Sequence, residues 1–387
     1  MTDVLLINSS PPLSITSLPN IPLGIAHLAS CLEKECIDVK ILDLAVINFN
    51  KKKILKKSLD LNPKIVGISA TSISIPEAVN VAKYVKESTN AKVIIGGPHV
   101  SGDPKFIKEF KDVFDYGLIG EGEISFTDIV KKILKDKSPK KGIIMGKPLK
   151  NLKYLPRPAY HLLSIEKYKT FGLIAMSSRG CPYRCTYCPM GGTKVRFKDP
   201  KDFVGEIAFL KDKYNIKKIT FCDENFTINK SHARKICSEL IKENIDLRWS
   251  AQTRCDLTDK YTLELMKRAG CELIQFGVES LSEDIQRKIK KHLTLSSISR
   301  AIKLAKGANL KVSINLMFGF PMERRSDITK SINILHKLKP DYAPVSFALP
   351  FPGTTLFDIA VQNGLDRKIW HKYARGEIYS PPPPLFK

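Results

Sequence analysis

The feature that most constrains this chain is a rhythm of short apolar runs separated by helical periodicity, in two series with a break between them. In the first series, "DVLLINS" (3–9), "DVKILDL" (38–44), "KIVGIS" (64–69), "KVIIGG" (92–97) and "YGLIG" (116–120) are rich in aliphatic and β-branched residues and too short for helices. Their hydrophobicity is continuous rather than alternating, which reads as parallel strands buried on both faces. Between them, "PLGIAHLASCLEKE", "KKILKKSLDL", "IPEAVNVAKYVKES", "DPKFIKEFKD" and a run from Glu123 to about Lys135 repeat apolar residues three and four apart. Pro76 falls where a helix tolerates proline, in the first turn. Five strands with helical crossovers predict a doubly wound, Rossmann-like α/β domain of flavodoxin type over residues 1–136.

The break, residues 137–170, is a linker rich in proline and lysine ("SPKKG", "GKPLKNLKYLPRPAYHLL") with one short strand, "GIIMG", inside it. A second series follows, with strands expected at "GLIAMSSRG" (172–180), "KKITFCD" (217–223), "RWSAQT" (248–253), "LIQFGVES" (273–280), "KVSINLMFG" (311–319) and "YAPVSFALP" (342–350). Helical patterns such as "PKDFVGEIAFLKDKY" and "KSHARKICSELIKEN" separate them. Six βα units predict a partial (β/α)6 barrel over residues 171–352, about three-quarters of the eightfold form. The tail, 353–387, starts helical and ends in polyproline; its segment "WHKYARGEIYSPPPPLF" is expected near the barrel opening. No internal repeat of a solenoid kind is visible.

No apolar run approaches the roughly 20 residues that cross a bilayer. The start, "MTDVLLINSSPP", lacks the basic region of a signal peptide, so no membrane span and a cytoplasmic location are expected. The formal charge of +24 would suit RNA or a phosphorylated ligand. The lysines are spread, however, as in "NKKKILKKS" and "RKIKKH", with no basic block interleaved with aromatics. They read as solvated helix faces, and nucleic acid is not the expected partner.

Nine cysteines is an odd number, and Cys31, Cys36, Cys222, Cys237, Cys255 and Cys271 are scattered, which argues against a disulfide framework. The other three, Cys181, Cys185 and Cys188, crowd into "SSRGCPYRCTYCPMGG" with the spacing C-x-x-x-C-x-x-C. They follow the first strand of the second series, at the barrel end where such folds keep their chemistry. Structural zinc wants four ligands in pairs, and no second pair exists. A thioredoxin-type site needs only two cysteines in another strand context. Three thiolates suit a 4Fe–4S cluster with one iron left open, and Gly180 and "PMGG" permit tight wrapping.

The stretch "RGCPYRCTYC" resembles the signature of the radical S-adenosylmethionine (SAM) superfamily. The resemblance implies that the open iron chelates the amino and carboxyl groups of SAM, and that one electron cleaves the sulfonium to a 5′-deoxyadenosyl radical. It covers residues 172 to about 350 and is similar to the Elongator-like core. "KKITFCDENFTINK" resembles that core's second strand, which implies that Asp223, Glu224 and Asn225 face the amino end of SAM. "LIQFGVES" and "INLMFGFP" resemble the fourth and fifth strands, implying cofactor contacts from Glu279 and Asn315. Glu279 has a second reading as an architectural residue, paired with Arg254 across adjacent strands.

A doubly wound sheet presents its crevice at the strand carboxyl ends. The loops there are "NSSPP", "SATSIS", "GGPHVSG" and "GEGEIS", with no dinucleotide or P-loop glycine pattern. Small and hydroxylated residues on the rim suit a bulky, amide-rich ligand. The "PPLSITSLPNIPLGIAHLA" entry, "GISATS", "IIGGPH" and "GLIGEGE" resemble the cobalamin-binding domain that precedes many radical SAM cores. The rim candidates are Ser10, Thr71, Ser72, Gly97, His99, Gly120 and Glu121. The D-x-H-x-x-G motif that supplies a cobalt-ligating histidine elsewhere is absent, so cobalt is expected to lack a protein histidine, with His99 at the corrin rim or domain surface.

Together these resemblances imply a cobalamin-dependent radical SAM methyltransferase. One SAM would methylate cobalt and a second would generate a substrate radical that takes the methyl group, so an unactivated carbon becomes reactive. The substrate, a small molecule, lipid or peptide, is not specified, and a ferredoxin or flavodoxin is expected as electron donor. The alternatives are cyclisation, rearrangement or carbon–carbon coupling with the same cofactors, a radical SAM RNA modifier, and a non-enzymatic iron–sulfur scaffold.

Overall fold

The computed structural model describes residues 2–11, 20–47, 51–169 and 173–382. Part of the "PPLSITSLPNIPLGIAHLA" entry and the end of the polyproline tail lie outside these residues.

Two parallel sheets organise the chain. The first contains β1 (Val4–Asn8), β2 (Val39–Asp43), β3 (Ile65–Ser69), β4 (Lys92–Gly96), β5 (Tyr116–Ile119) and β6 (Gly142–Met145), in the order β2-β1-β3-β4-β5-β6. Continuous hydrophobicity is the reason for the two-sided burial. Leu5 and Ile7 join Val66, Ile68, Val93 and Ile95 in one core, while Val4 and Leu6 join Ile65, Ile94 and Leu118 in another. The "GIIMG" run assigned to the linker pairs with β5 as the sixth strand, so the first sheet reaches beyond residue 136. The expected helix "DPKFIKEFKD" shortens to Phe106–Glu109, and a separate short helix, Pro98–Gly102, forms in the "GGPHVSG" loop before it.

The second sheet contains β7 (Leu173–Ala175), β10 (Lys218–Phe221), β11 (Arg248–Thr253), β12 (Cys271–Glu279), β13 (Lys311–Phe318) and β14 (Val345–Phe347), side by side in chain order. Between β7 and β10 a two-stranded antiparallel ribbon, β8 (Ser178–Arg179) and β9 (Arg196–Phe197), projects from the sheet. The sheet does not close, because β7 and β14 are both edges. All six expected barrel strands are present, and the helix Pro200–Tyr214 coincides with its sequence pattern, started by the Asp199 side chain accepting from Lys201 N.

In the tail, the helix Ile369–Arg375 packs on Ile75–Ser88 of the first domain. Trp370 and Tyr373 enter the first domain's core, the Tyr373 hydroxyl donates to the Ile73 carbonyl at 3.1 Å, and the Trp370 indole donates to Pro350 O at 2.8 Å. His371 lies 2.7 Å from Asp103 and 2.8 Å from Glu109, on the two short helices. An apolar face bearing two large aromatics is satisfied where a core can receive them, which anchors the tail in the first domain.

Trp370→Ala should therefore destabilise the protein by about 3–5 kcal/mol in chemical denaturation. Burial lowers the His371 pKa, but hydrogen bonds and attraction from Asp103 and Glu109 outweigh it and hold the pKa above its ordinary value. Its stabilising contribution is complete below pH 6.5 and fades as pH rises through the raised value. Denaturation midpoints should fall across that window in the wild type and stay flat in His371→Gln.

Candidate functional site

The ribbon β8–β9 presents the cysteines. Ser178 pairs with Phe197 and Arg179 with Arg196, and residues 180–195 form the loop they close. Within it, Thr193 N donates to Cys181 O at 2.9 Å, Gly192 N to Tyr183 O at 2.8 Å, and Cys181 N to Thr193 Oγ1 at 2.9 Å. Gly180 has φ +109, and a Cβ there would sit 2.4 Å from the Lys194 carbonyl oxygen, so only glycine fits. All three thiols are free. Cys181 is buried and the other two are half-buried; burial, then the charge of neighbouring cysteines, pushes the Cys181 and Cys188 thiols up. As thiolates they need a cationic partner, which an iron–sulfur core supplies. Among the described residues, no three His, Cys, Asp or Glu side chains form a group for a single metal ion. Three thiolates on separate corners of a cuboidal cluster are spaced more widely than the ligands of one ion.

The segment Asp223–Asn225, just after β10, is tied to the first half of this loop. Asp223 is fully buried, accepts from Ser177 Oγ at 2.7 Å and Ser177 N at 3.3 Å, and also accepts from Ser178 Oγ. Burial pushes its pKa up against those hydrogen bonds. With no exposed area, Asp223 braces the approach to the cysteines. Glu224 accepts from Gly180 N at 3.2 Å, and Asn225 Nδ2 donates to Cys181 Sγ at 3.4 Å. Asn225 is therefore the member of the trio that reaches a cysteine sulfur.

The second half of the loop is held from β12. Glu279 is buried at a bulge with φ +69 and pairs with Lys291 at 2.8 Å, and Lys291 Nζ donates to the Tyr187 hydroxyl at 3.0 Å. Burial first, and then the Glu279 charge, raises the Tyr187 pKa far above its ordinary value. The Arg254–Glu279 pair is not formed. Arg254 instead binds Asp256 at 2.8 Å and the Lys291 carbonyl at 2.8 Å, and its guanidinium lies 3.9 Å from the centre of the Tyr183 ring. Asn315, half-buried on β13, faces Gly277 in register and accepts from Ser313 Oγ at 3.4 Å. Lys291 escaped the sequence reading because, inside "RKIKKH", nothing distinguishes it from its solvated neighbours.

In the first domain, strand order reverses between β1 and β3, which sets the crevice at the ends of those strands. Thr71 and Gly120 are exposed there, and Gly97, with φ +104, brings backbone so close that a Cβ would lie 2.6 Å from Ala70 O. Three other candidates are turned inward. Ser10 is buried and accepts from Lys51 Nζ at 2.6 Å; Ser72 Oγ meets His99 Nδ1 at 3.0 Å. His99 itself has no exposed area and packs edge-on against Phe106, 4.8 Å between ring centres. Apolar packing from Phe106 and Trp370 encloses the ring, and burial pushes its pKa down to about 3. His27, the domain's other histidine, is equally buried, with Nδ1 3.1 Å from Pro156 O.

Glu121 is engaged by the ribbon. It pairs with Arg196, lies 3.4 Å from Arg179, and accepts from Leu149 N at 3.2 Å; Glu123 takes Arg179 at 2.8 Å. Arg179 and Arg196 are cross-strand neighbours on the ribbon, an arrangement of like charges that needs these carboxylates. One residue separates Arg179 from Cys181, so the loop after β5 and the cysteine loop meet across one ion cluster.

Comparison with known proteins agrees with this geometry. The radical SAM superfamily model matches residues 176–335 and the B12 binding domain model residues 17–130. An uncharacterized methyltransferase of Pyrococcus horikoshii is 34% identical over 373 residues, covering 91% of this chain and 81% of that protein. An anaerobic magnesium-protoporphyrin IX monomethyl ester cyclase of Synechocystis is 25% identical over 375 residues, covering 90% and 75%. The structure of TsrM, a radical SAM methyltransferase of Kitasatospora setae with cobalamin and a [4Fe-4S] cluster bound, superposes with TM-score 0.78 at 19% identity, covering 94% and 75%. The chain belongs to the radical SAM enzymes that carry an N-terminal cobalamin-binding domain. Its cofactors are a 4Fe–4S cluster, SAM and cobalamin.

Two substitutions probe the cysteine loop. Gly180→Ala should lower iron per chain after anaerobic reconstitution by several-fold, while the far-ultraviolet spectrum is kept. Lys291→Met leaves Glu279 buried and unpaired and should cost about 3–5 kcal/mol, whereas adding Glu279→Gln should recover much of it. A chemical-denaturation double-mutant cycle measures both effects.

Proposed function

We propose that this protein is a C-methyltransferase, which moves a methyl group from SAM to an unactivated carbon by way of cobalamin. The observation that carries the reading is the ion cluster of Arg179 and Arg196 with Glu121 and Glu123, because it brings the cysteine loop and the crevice of the first domain to one interface. Cysteines 181, 185 and 188 would hold the cluster; Asn225 would sit beside it through Cys181, and Asn315 is available to SAM from β13. Cobalamin in the crevice, near Thr71, Gly97 and Gly120, would supply the methyl group. Glu279 serves SAM indirectly in this reading, by fixing Lys291 and Tyr187. Burial of both His27 and His99 supports a cobalt without a protein histidine from this domain.

The protein works in the cytoplasm in this reading, consistent with the lack, among the described residues, of a helix long and apolar enough to cross a membrane. Its substrate is a small molecule, lipid or peptide, and an external one-electron donor serves the cluster. Ring formation is the second reading, favoured by the similarity to the magnesium-protoporphyrin IX monomethyl ester cyclase.

Anaerobic incubation with reductant, methyl-deuterated SAM and fractionated cell extract should give a product heavier by one labelled methyl group. S-adenosylhomocysteine and 5′-deoxyadenosine should accumulate in equal amounts. Deoxyadenosine without homocysteine or label transfer would remove methyl transfer and favour ring formation. Paramagnetic resonance of the cobalt(II) protein should show no lower-face nitrogen coupling, and a coupling lost in His99→Ala would overturn the coordination reading.

A further inference from the structure

The radical chemistry consumes one electron per SAM cleaved, and the cluster must receive it from outside the chain. The run "RKIKKH" finds a place here that its sequence did not indicate. Thr186 N, inside the cysteine loop, donates to Ile289 O at 3.0 Å, and Lys291 reaches Tyr187 at 3.0 Å. These contacts lay the segment 285–292 along the loop 181–194, so that the two form one outward face beside Cys185 and Cys188.

This face is cationic. Neither 181–198 nor 285–293 contains an Asp or Glu, while Arg184, Lys194, Arg287, Lys288 and Lys290 on these segments are exposed. Asp284, next to the second segment, is engaged by Arg287 at 3.2 Å and Lys288 at 2.6 Å. Arg184, Lys194 and Lys290 form no ion pair with the described residues. Lys194 follows the residue bonded to Cys181, Arg184 precedes Cys185 and lies over Gly192, and Lys290 follows the residue bonded to Thr186. In the same loop the apolar Met190, two residues after Cys188, is 41% exposed. Fixed like charges without counter-charges, around a half-buried redox site, form a surface that attracts and orients an acidic partner.

We infer that this face, formed by residues 181–194 and 285–292, is the docking surface for a small acidic one-electron carrier protein, a reduced flavin or iron–sulfur protein. The inference rests on the radical SAM assignment. In the step it serves, the carrier loses one electron and the cluster gains one, and no atom is transferred. The cations bring the carrier's acidic rim onto the loop, and the exposed Met190, two residues after Cys188, gives an apolar contact there.

The test uses the full chain with its cluster and a purified acidic flavodoxin. The triple variant Lys194→Glu, Arg287→Glu, Lys290→Asn removes the charge without touching the cysteines or their braces. A control triple variant, Lys211→Glu, Lys267→Glu, Lys337→Asn, changes charge equally at helix ends on the opposite side of the barrel. Binding of the oxidised proteins, measured by interferometry across ionic strength, should weaken about tenfold at low salt in the face variant, with a flatter salt dependence, and hardly change in the control. SAM cleavage driven by dithionite should be equal in all three proteins, while cleavage driven by reduced flavodoxin should fall only in the face variant. Equal flavodoxin affinity in wild type and face variant would overturn the inference. So would an equal loss in the control, or equally tight and equally sensitive binding of RNA or of a redox-inert acidic protein. If the wild type fails to cleave SAM even with dithionite, the radical SAM assignment fails, and the binding result is judged separately.

Discussion

Two arginines that face each other on a two-stranded ribbon repel, and in this protein that repulsion is used to join two domains. Arg179 and Arg196 stand opposite one another on either side of the cysteine loop, and the carboxylates that neutralise them, Glu121 and Glu123, belong to the other domain. The ribbon thus reaches full charge balance only when the carboxyl ends of both sheets come together. A partly buried ion cluster adds little net stability, because desolvation offsets most of the attraction, yet breaking it leaves charges exposed to a poor medium. Its effect is directional. It selects one relative placement of the two crevices among those the linker would allow.

Around that junction the cysteine loop is braced from the ends of β10 and β12. Asp223 and Asn225 hold its first half from β10, and Glu279 holds its second half from β12 through Lys291 and Tyr187. These contacts use buried charges and hydroxyls, which are costly when unpaired, so the loop has one low-energy arrangement. A cluster that must leave one iron open needs that stiffness, because loss of a single thiolate position would expose a second iron. The carboxylates of Glu224 and Glu279 are spent on the Gly180 backbone and on Lys291.

The tail completes the frame from the far side. Helix Thr355–Gln362 starts beside the cysteine loop, with Leu356 N donating to Thr186 O at 2.8 Å, and the chain then continues into the first domain's core at Trp370. The two domains are therefore linked by the ion cluster, by the linker residues around Tyr168 and Asp43, and by a tail that touches both. Separation of the crevices would break all three at once, which gives the interface a cooperative character.

Much of this was legible in the sequence, and the boundary has a physical cause. The eleven expected strands, the two-domain order and the three cysteines follow from local properties: hydrophobic period, turn residues and ligand spacing each act within a few residues. Tertiary structure decided everything that depends on which polar group finds which partner across the chain. Asp223 was visible as a motif residue but its burial was not, and Lys291 was one lysine among several until Glu279 closed on it. "GIIMG" was too short to place until β5 offered a free edge, and His99 looked accessible until Phe106 and Trp370 covered it. Spacing along a chain carries ligand geometry, whereas burial and charge pairing are properties of the assembled core, written only where distant segments meet.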